Sequence, residues 1–215
     1  MLRRVLPAFM FAFLLATSPA RADIVGTFYP GATSPRGDFA ADSLGNAQTG
    51  FQFAAALDKI FSKSFSAGVE ISWGVNNNGL EGKRIDQGAG FYTRADKYQY
   101  DIHVYSVRAR YTLPTDSHFH PYALAGAGAY DIDLDYELAF GGPVPTQEVK
   151  QSGRTDFGTR FGGRLGIGFE YEGSPHVLLG LGAEYNYVSM DEGKFGSSSA
   201  EYWAFRASIG HNFSK

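Results

Sequence analysis

From Thr155 to Glu172 the chain alternates without a break. Phe157, Thr159, Phe161, Gly163, Leu165, Ile167, Phe169 and Tyr171 occupy one parity; Asp156, Gly158, Arg160, Gly162, Arg164, Gly166, Gly168 and Glu170 occupy the other. A period of two puts the two sets on opposite faces of a β-strand. The polar face is built from glycine and isolated charges, not from the Lys, Thr and Glu of a solvated surface. Bulky apolar residues share the opposite face. That inversion constrains the fold more than any other feature of the chain.

The next segment, Val177 to Met190, repeats the rule, with Val177, Leu179, Leu181, Ala183, Tyr185 and Tyr187 alternating with Leu178, Gly180, Gly182, Glu184 and Asn186. Between them, "GSPH" at positions 173–176 reads as a compact turn. Folding the hairpin about Ser174 sets Arg164 opposite Glu184 and Gly163 opposite Tyr185. It also sets Ile167 opposite Leu181 and Phe169 opposite Leu179. The same alternation runs through Phe51–Asp58, Phe65–Val75, Tyr105–Leu113 and Trp203–Phe213. Above Tyr105 the apolar parity changes to Tyr98, Tyr100, Ile102 and Val104, which predicts a bulge there.

"AYDIDLDYE", Ala129 to Glu137, places Asp131, Asp133, Asp135 and Glu137 at every second position. An EF-hand calcium loop is excluded: with Asp131 first, the sixth position is Tyr136 and the twelfth Gly142, where that loop needs Gly and Glu. The acids read instead as the wet face of a strand whose even positions, from Tyr122 to Leu138, are apolar or glycine.

Backbone groups in hydrocarbon must all be paired, so an antiparallel sheet in lipid has to close on itself. A narrow closed barrel wants small residues inside and large apolar ones outside. The 27 glycines, nearly twice the usual share of about 7%, and the 15% aromatic content then have one cause. The connections alternate between short ones, near positions 61–64, 114–120 and 173–176, and long ones, near 77–97, 139–153 and 191–200. The expected fold is all-β: an eight-stranded antiparallel up-and-down transmembrane β-barrel with short periplasmic turns and longer extracellular loops. Residues 23–32 are the only candidate for the first strand, followed by a first long loop over 33–45, although Pro30 lies inside it. Tyr122, Tyr171, Trp203 and Phe213 are expected at the two membrane interfaces.

The N-terminus fits export. Arg3 and Arg4 precede the apolar run "VLPAFMFAFLLA", and "ARA" at 20–22 is an Ala-x-Ala cleavage site. This gives a cleaved signal peptide at 1–22 and one barrel domain at 23–215, placed in the cell outer membrane. Removing the signal takes away three arginines and no acid, moving the net charge from −3 to −6. That balance gives no support to nucleic-acid binding. Cysteine is absent, so no disulfide stabilises the domain.

With its signal peptide, the strand "HPYALAGAGAYDIDLDYE" from His120 and the ending "YWAFRASIGHNF", the chain resembles the small outer-membrane β-barrel proteins of Gram-negative bacteria, the OmpA-, OmpX- and OmpW-like group. The resemblance implies a last strand read by the outer-membrane assembly machinery through its alternating apolar residues. Here those are Trp203, Phe205, Ile209 and Phe213, followed by Ser214 and Lys215. It also implies contact with outer-membrane lipid and lipopolysaccharide.

The candidate site is a charge cluster on the inner wall: Glu70, Arg108, Asp131, Asp133, Arg160, Arg164, Glu184 and Arg206. It is expected to plug the barrel as a salt-bridge network. The alternative is a gate or ion selector in a narrow channel for small or apolar solutes, as OmpW-like resemblance implies. A lipid-modifying enzyme is the third reading, and it lacks a nucleophile–base pair. His103 and Ser106 point to opposite faces of one strand, and Ser43 has no partner. No metal-ligand spacing or phosphate loop is present, so no cofactor is expected. The long segment 76–97 carries Lys83, Arg84, Arg94 and Lys97 beside Phe91 and Tyr92, a candidate contact for lipopolysaccharide phosphates or another surface ligand. The expected role is structural or surface-interacting, without catalysis.

Overall fold

The computed structural model describes residues 23–41, 46–142, 148–174 and 176–213. The expected signal peptide and the Ser214–Lys215 extension lie outside these. The strands are β1 (Ile24–Arg36), β2 (Ala47–Ser62), β3 (Phe65–Asn78), β4 (Arg84–Gly88), β5 (Phe91–Thr112), β6 (Phe119–Gly141), β7 (Val149–Ser174), β8 (Val177–Ser189) and β9 (Ser199–Asn212). Every pairing is antiparallel. β1 pairs with both β2 and β9, and β3 pairs with β5, so eight strands close into a ring with β4 outside it, riding on the upper end of β5. No helix among the described residues is long and apolar enough to cross a membrane.

The short connections after β2, β5 and β7 lie at one end, together with both strand termini, since Val25 faces Asn212. The opposite end carries β4 and two single-turn helices, α1 (Gly37–Ala40) and α2 (Glu192–Phe195). Short turns on one side and elaborate connections on the other make the first end periplasmic and the second extracellular.

β1 forms in spite of Pro30. The ladder to β9 passes from Phe28–Ile209 to Gly31–Arg206, skipping the rungs where proline has no N–H to donate. Gly31 is demanded by close approach, because a Cβ there would collide with the Phe205 carbonyl oxygen. The strand then continues to Arg36, so the first loop is shorter than the expected 33–45.

Through the lower part of the ring the two faces follow the alternation. Leu165 and Ile167 are 68% and 69% exposed, and Phe28, Phe53, Ile71, Leu181 and Ile209 also face outward. Such apolar exposure all round a closed sheet fits hydrocarbon, not water. Tyr171, Trp203 and Phe213 face outward near strand ends, as expected. Tyr122 is a correction: it points into the barrel, 8% exposed, and lies under Arg110.

Two further expectations are corrected. The β7–β8 hairpin folds about position 175, not 174, with an irregularity between Glu172 and Ser174. Arg164 is therefore opposite Asn186, Gly163 opposite Tyr187, Ile167 opposite Ala183 and Phe169 opposite Leu181. A two-residue slip changes every rung but keeps every side chain on its face. The bulge in β5 falls between Ala95 and Lys97, well above Tyr105, and the ladder between β3 and β5 is unbroken from Phe65 to Asn77. Tyr100, Ile102 and Val104 keep the phase of Arg108 and point inward. What changes near Tyr105 is the medium outside the barrel.

Most of 77–97 and 139–153, expected as loops, is strand. β5, β6 and β7 rise past their neighbours and, with β4, form a sheet standing over one side of the extracellular mouth.

Candidate functional site

The lower lumen is lined by charges that the alternation carries inward from nearly every strand. Arg108 is the first junction. Its Nε donates to Asp58 Oδ1 at 2.9 Å and its Nη1 to Glu70 Oε2 at 2.9 Å, while its Nη2 donates to Tyr29 Oη at 2.8 Å and to Asp58 Oδ2. Glu70 is the second junction: its Oε1 accepts from Arg206 Nη1 at 2.8 Å and from Arg164 Nη1. Arg206 Nη1 also donates to Glu184 Oε1 at 3.2 Å, and Arg164 Nη1 lies 3.5 Å from Glu184 Oε2. With its amide oxygen turned toward Arg206, Gln52 accepts from Nε at 2.5 Å and from Nη2 at 3.1 Å. Nearer the periplasm, Arg110 forms a two-pronged pair with Glu170.

Four arginines thus meet four carboxylates, all of them buried. The set is electrically neutral, which lowers the cost of holding it away from water. Gly126 takes part by omission, since a side chain there would collide with Arg164.

Above the network the lumen becomes apolar. Tyr100, Ile102, Val104, Tyr130, Ile132, Leu134 and Tyr202 pack there, joined by Phe157 and by one phenylalanine from each short helix. Phe39 of α1 meets Tyr100 edge-on at 5.1 Å, and Phe195 of α2 meets Phe157 edge-on at 5.3 Å. Ser197 Oγ donates to Asp38 Oδ2 at 2.5 Å, tying the α1 segment to the α2 segment. Asp191 caps α2 by accepting from the Gly193 N–H at 3.1 Å. Together these side chains form a buried aromatic cap over the network at the extracellular end.

Of the residues expected in the cluster, Glu70, Arg108, Arg164, Glu184 and Arg206 come together. Arg164 and Glu184 meet diagonally across the shifted hairpin. Asp131 and Asp133 do not join them: Tyr130, Ile132 and Leu134 fill the lumen, so the acids between them lie on the outer side of the wall, Asp131 half-buried and Asp133 buried beneath Arg154. There Asp133 takes Arg154 at 2.5 Å, and an outer groove of His103, Tyr105, Asp131, Asp133, Arg154 and Asp156 forms. The reason is that alanine suits either side of a barrel wall, and Ala123 to Ala129 carried no information about which side was wet. Arg160 has inward parity but sits at the rim, donating to the Phe157 carbonyl at 3.0 Å and lying 3.4 Å from Asp191. Asp58, Arg110, Glu170, Tyr29 and Gln52 were missed. All but Tyr29 sit on polar parities already visible in the sequence.

His103 faces outward, whereas Ser106 is buried in the lumen with its Oγ 3.5 Å from the Glu70 carbonyl, so the two form no pair. Among the described residues no group of three or more His, Asp or Glu is placed to hold a metal ion.

On the extracellular sheet, Arg94 and Lys150 both bind Asp96, at 2.5 and 2.9 Å. Their hydrogen bonds lower the Asp96 carboxyl to about 2. Lys150 also reaches Glu137 at 3.1 Å, and the Arg84 guanidinium stacks 3.9 Å from the Tyr92 ring centre.

A family model described as an outer membrane protein beta-barrel domain matches residues 8–213. The chain belongs to that family. Membership places this barrel in the outer membrane of Gram-negative type. Among solved structures, Neisserial surface protein A superposes with a TM-score of 0.58 at 14% identity, covering 91% of this chain and 100% of that one. The N-terminal β-barrel domain of Pseudomonas aeruginosa OprF gives 0.48 at 12% identity over 90% and 100%. The outer membrane enzyme PagL gives 0.44 at 15% identity over 86% and 97%. The first of these likenesses supports the fold alone. No curated protein matches the sequence.

Proposed function

We propose that this outer-membrane barrel has a sealed lumen and works through its surface, in a structural or surface-interaction role without catalysis. In this reading the chain is exported by a signal cleaved after position 22 and its last strand is read by the assembly machinery. Lipopolysaccharide packs against its outer wall and against the charged extracellular sheet. The observation that carries the reading is the neutral arginine–carboxylate network beneath an aromatic cap, an interior organised to fill space and not to pass solutes.

The test is conductance of the refolded protein in planar bilayers, with Arg164→Ala as comparison. A silent, folded barrel is expected. Steady openings altered by the substitution would move the channel reading ahead. The non-catalytic part has its own check: lipopolysaccharide incubated with the protein should keep its acyl chains by mass spectrometry, and their loss would refute it.

A further inference from the structure

The lipid-facing wall carries two apolar grooves, and they differ at one end. The larger, of about 620 Å³, lies on β5 to β8 around Ala123 and Ala183, and its lining has no charged side chain. The other, of about 490 Å³, lies over β1, where the ring closes. Gly26 and Ala55 form its floor, Leu57 and Ile71 one bank, and Ile209 and Val177 the other. The pairings account for this shape. Gly26 stands between Leu57 and His211, and Ala55 stands between Phe28 and Ile71. A small residue between two long ones leaves a trough one strand wide on the outer face.

At its lower end this groove passes from apolar contact to hydrogen-bond donors. His211 lines it and is exposed; its ring stacks 5.9 Å from that of His176 and meets Phe213 edge-on at 4.8 Å. Among the described residues its ring nitrogens make no hydrogen bond. Lys59 shares the outer face with Leu57, and it flanks β1 from the other side, opposite Ile24. Its ammonium lies 5.5 Å from the Phe61 ring centre and joins no ion pair among the described residues. The neighbouring acids Asp58, Glu170 and Glu172 face the lumen instead, paired with Arg108, Arg110 and His120. Asp23, just before β1, shares the lumen parity of Val25 and Thr27. Charge is thus sorted across the wall at this end, with carboxylates inside and basic groups outside.

We infer that the β1 groove is a binding site for a phospholipid of the periplasmic leaflet, with an acyl chain over Gly26 and Ala55 and the phosphate between Lys59 and His211. The chain needs only the apolar trough, which lies in the hydrocarbon of the outer membrane. The phosphate takes hydrogen bonds from the Lys59 ammonium and from a His211 ring N–H. The leaflet follows from position, since Val177 opens β8 just after a short periplasmic turn and pairs with His211. This goes beyond the sealed-lumen reading and does not depend on it. The lipid would lie across the seam where the first and last strands meet.

The experiment is native mass spectrometry of the full refolded chain in detergent micelles, titrated with dioleoyl phosphatidylglycerol or with dioleoylglycerol. The second lipid has the same chains and no phosphate. Wild type is expected to retain a single phosphatidylglycerol and to release dioleoylglycerol. Lys59→Gln combined with His211→Leu should weaken retention about tenfold or more, the scale of lost hydrogen bonds to a charged group. Ala55→Phe fills the trough and should weaken it as much with both basic residues in place. Ala183→Phe fills the other groove and should leave it unchanged. Each variant is checked for folding by its heat-dependent gel mobility. Equal retention of the two lipids, or retention of neither, overturns the inference. An equal loss from Ala55→Phe and Ala183→Phe overturns it as well.

Discussion

Glu70→Ala is the most informative single perturbation. Glu70 is 2% exposed and holds three guanidinium groups: Arg108 and Arg206 at 2.9 and 2.8 Å, and Arg164. Without it Arg108 keeps Asp58, but Arg164 and Arg206 must share Glu184, and the lumen gains a net positive charge. Removing one partner from a buried ionic set typically costs about 3–5 kcal/mol, because the remaining charge stays out of water without compensation. Three orphaned contacts argue for the upper part of that range. Glu70→Gln, which keeps the shape and can still accept one hydrogen bond, should cost less. The assay is reversible urea unfolding in lipid vesicles, followed by tryptophan fluorescence and by the heat-dependent shift in gel mobility typical of folded barrels. A loss within about 0.5 kcal/mol of zero, the range of unremarkable surface changes, would refute the idea that these charges hold the lumen together.

The remaining predictions concern other parts of the wall. Leu181→Arg, on the outer face and 53% exposed, should cost about 2–4 kcal/mol near the bilayer midplane, by the same unfolding assay. A neutral result with normal membrane assembly would overturn the face assignment. Phe195→Ala removes a ring from the aromatic cap and should cost about 3–5 kcal/mol, while bilayer conductance stays silent because the ionic network lies below. Asp96 should titrate near 2 by carbon NMR, against an ordinary value of 3.8, and Lys150→Gln should raise its midpoint. Because its folded value is depressed, the Asp96 contribution is complete above pH 3.8 and fades as the pH falls toward 2. Protection of the upper β5 and β6 amides, after division by the intrinsic exchange rate at each pH, should therefore fall only in that acid window.

Much of this architecture was readable from alternation alone, and the failures have a common cause. A period of two separates the faces of a strand but does not say which face is inside. In lower β7, β8 and β9 the outside is hydrocarbon, so bulky residues such as Leu165, Leu181 and Ile209 settle the question. Higher up, the outside becomes water and the inside becomes dry. Apolar residues then belong within, as Ile102 and Ile132 do, and acids such as Asp131 and Asp133 belong without. The apolar parity of β5 changes although the chain keeps its phase, which imitates a bulge. In β6 the alanines at 123–129 left the direction undefined, and the acids above them were placed on the wrong side. The hairpin register was missed by two residues because "GSPH" does not reveal where its extra residue is absorbed. Asp58, Arg110 and Glu170 were on visible polar parities, but joining them to Arg108 and Glu70 required knowing which strands lie side by side around the ring.

The ionic network also bears on how the barrel comes to exist. Its members belong to β2, β3, β5, β7, β8 and β9, with Tyr29 of β1 bonded to Arg108 and Tyr122 of β6 under Arg110. Arg164 and Glu184 can meet within the β7–β8 hairpin, and Arg108 and Asp58 within the β2–β3–β5 sheet, but Glu70 on β3 waits for Arg164 on β7 and Arg206 on β9. An open sheet in the bilayer would expose unpaired arginines and carboxylates, and only the final seam between β1 and β9 brings the set together. Insertion and closure of such a chain should therefore be a single concerted event, with partly inserted forms too costly to accumulate.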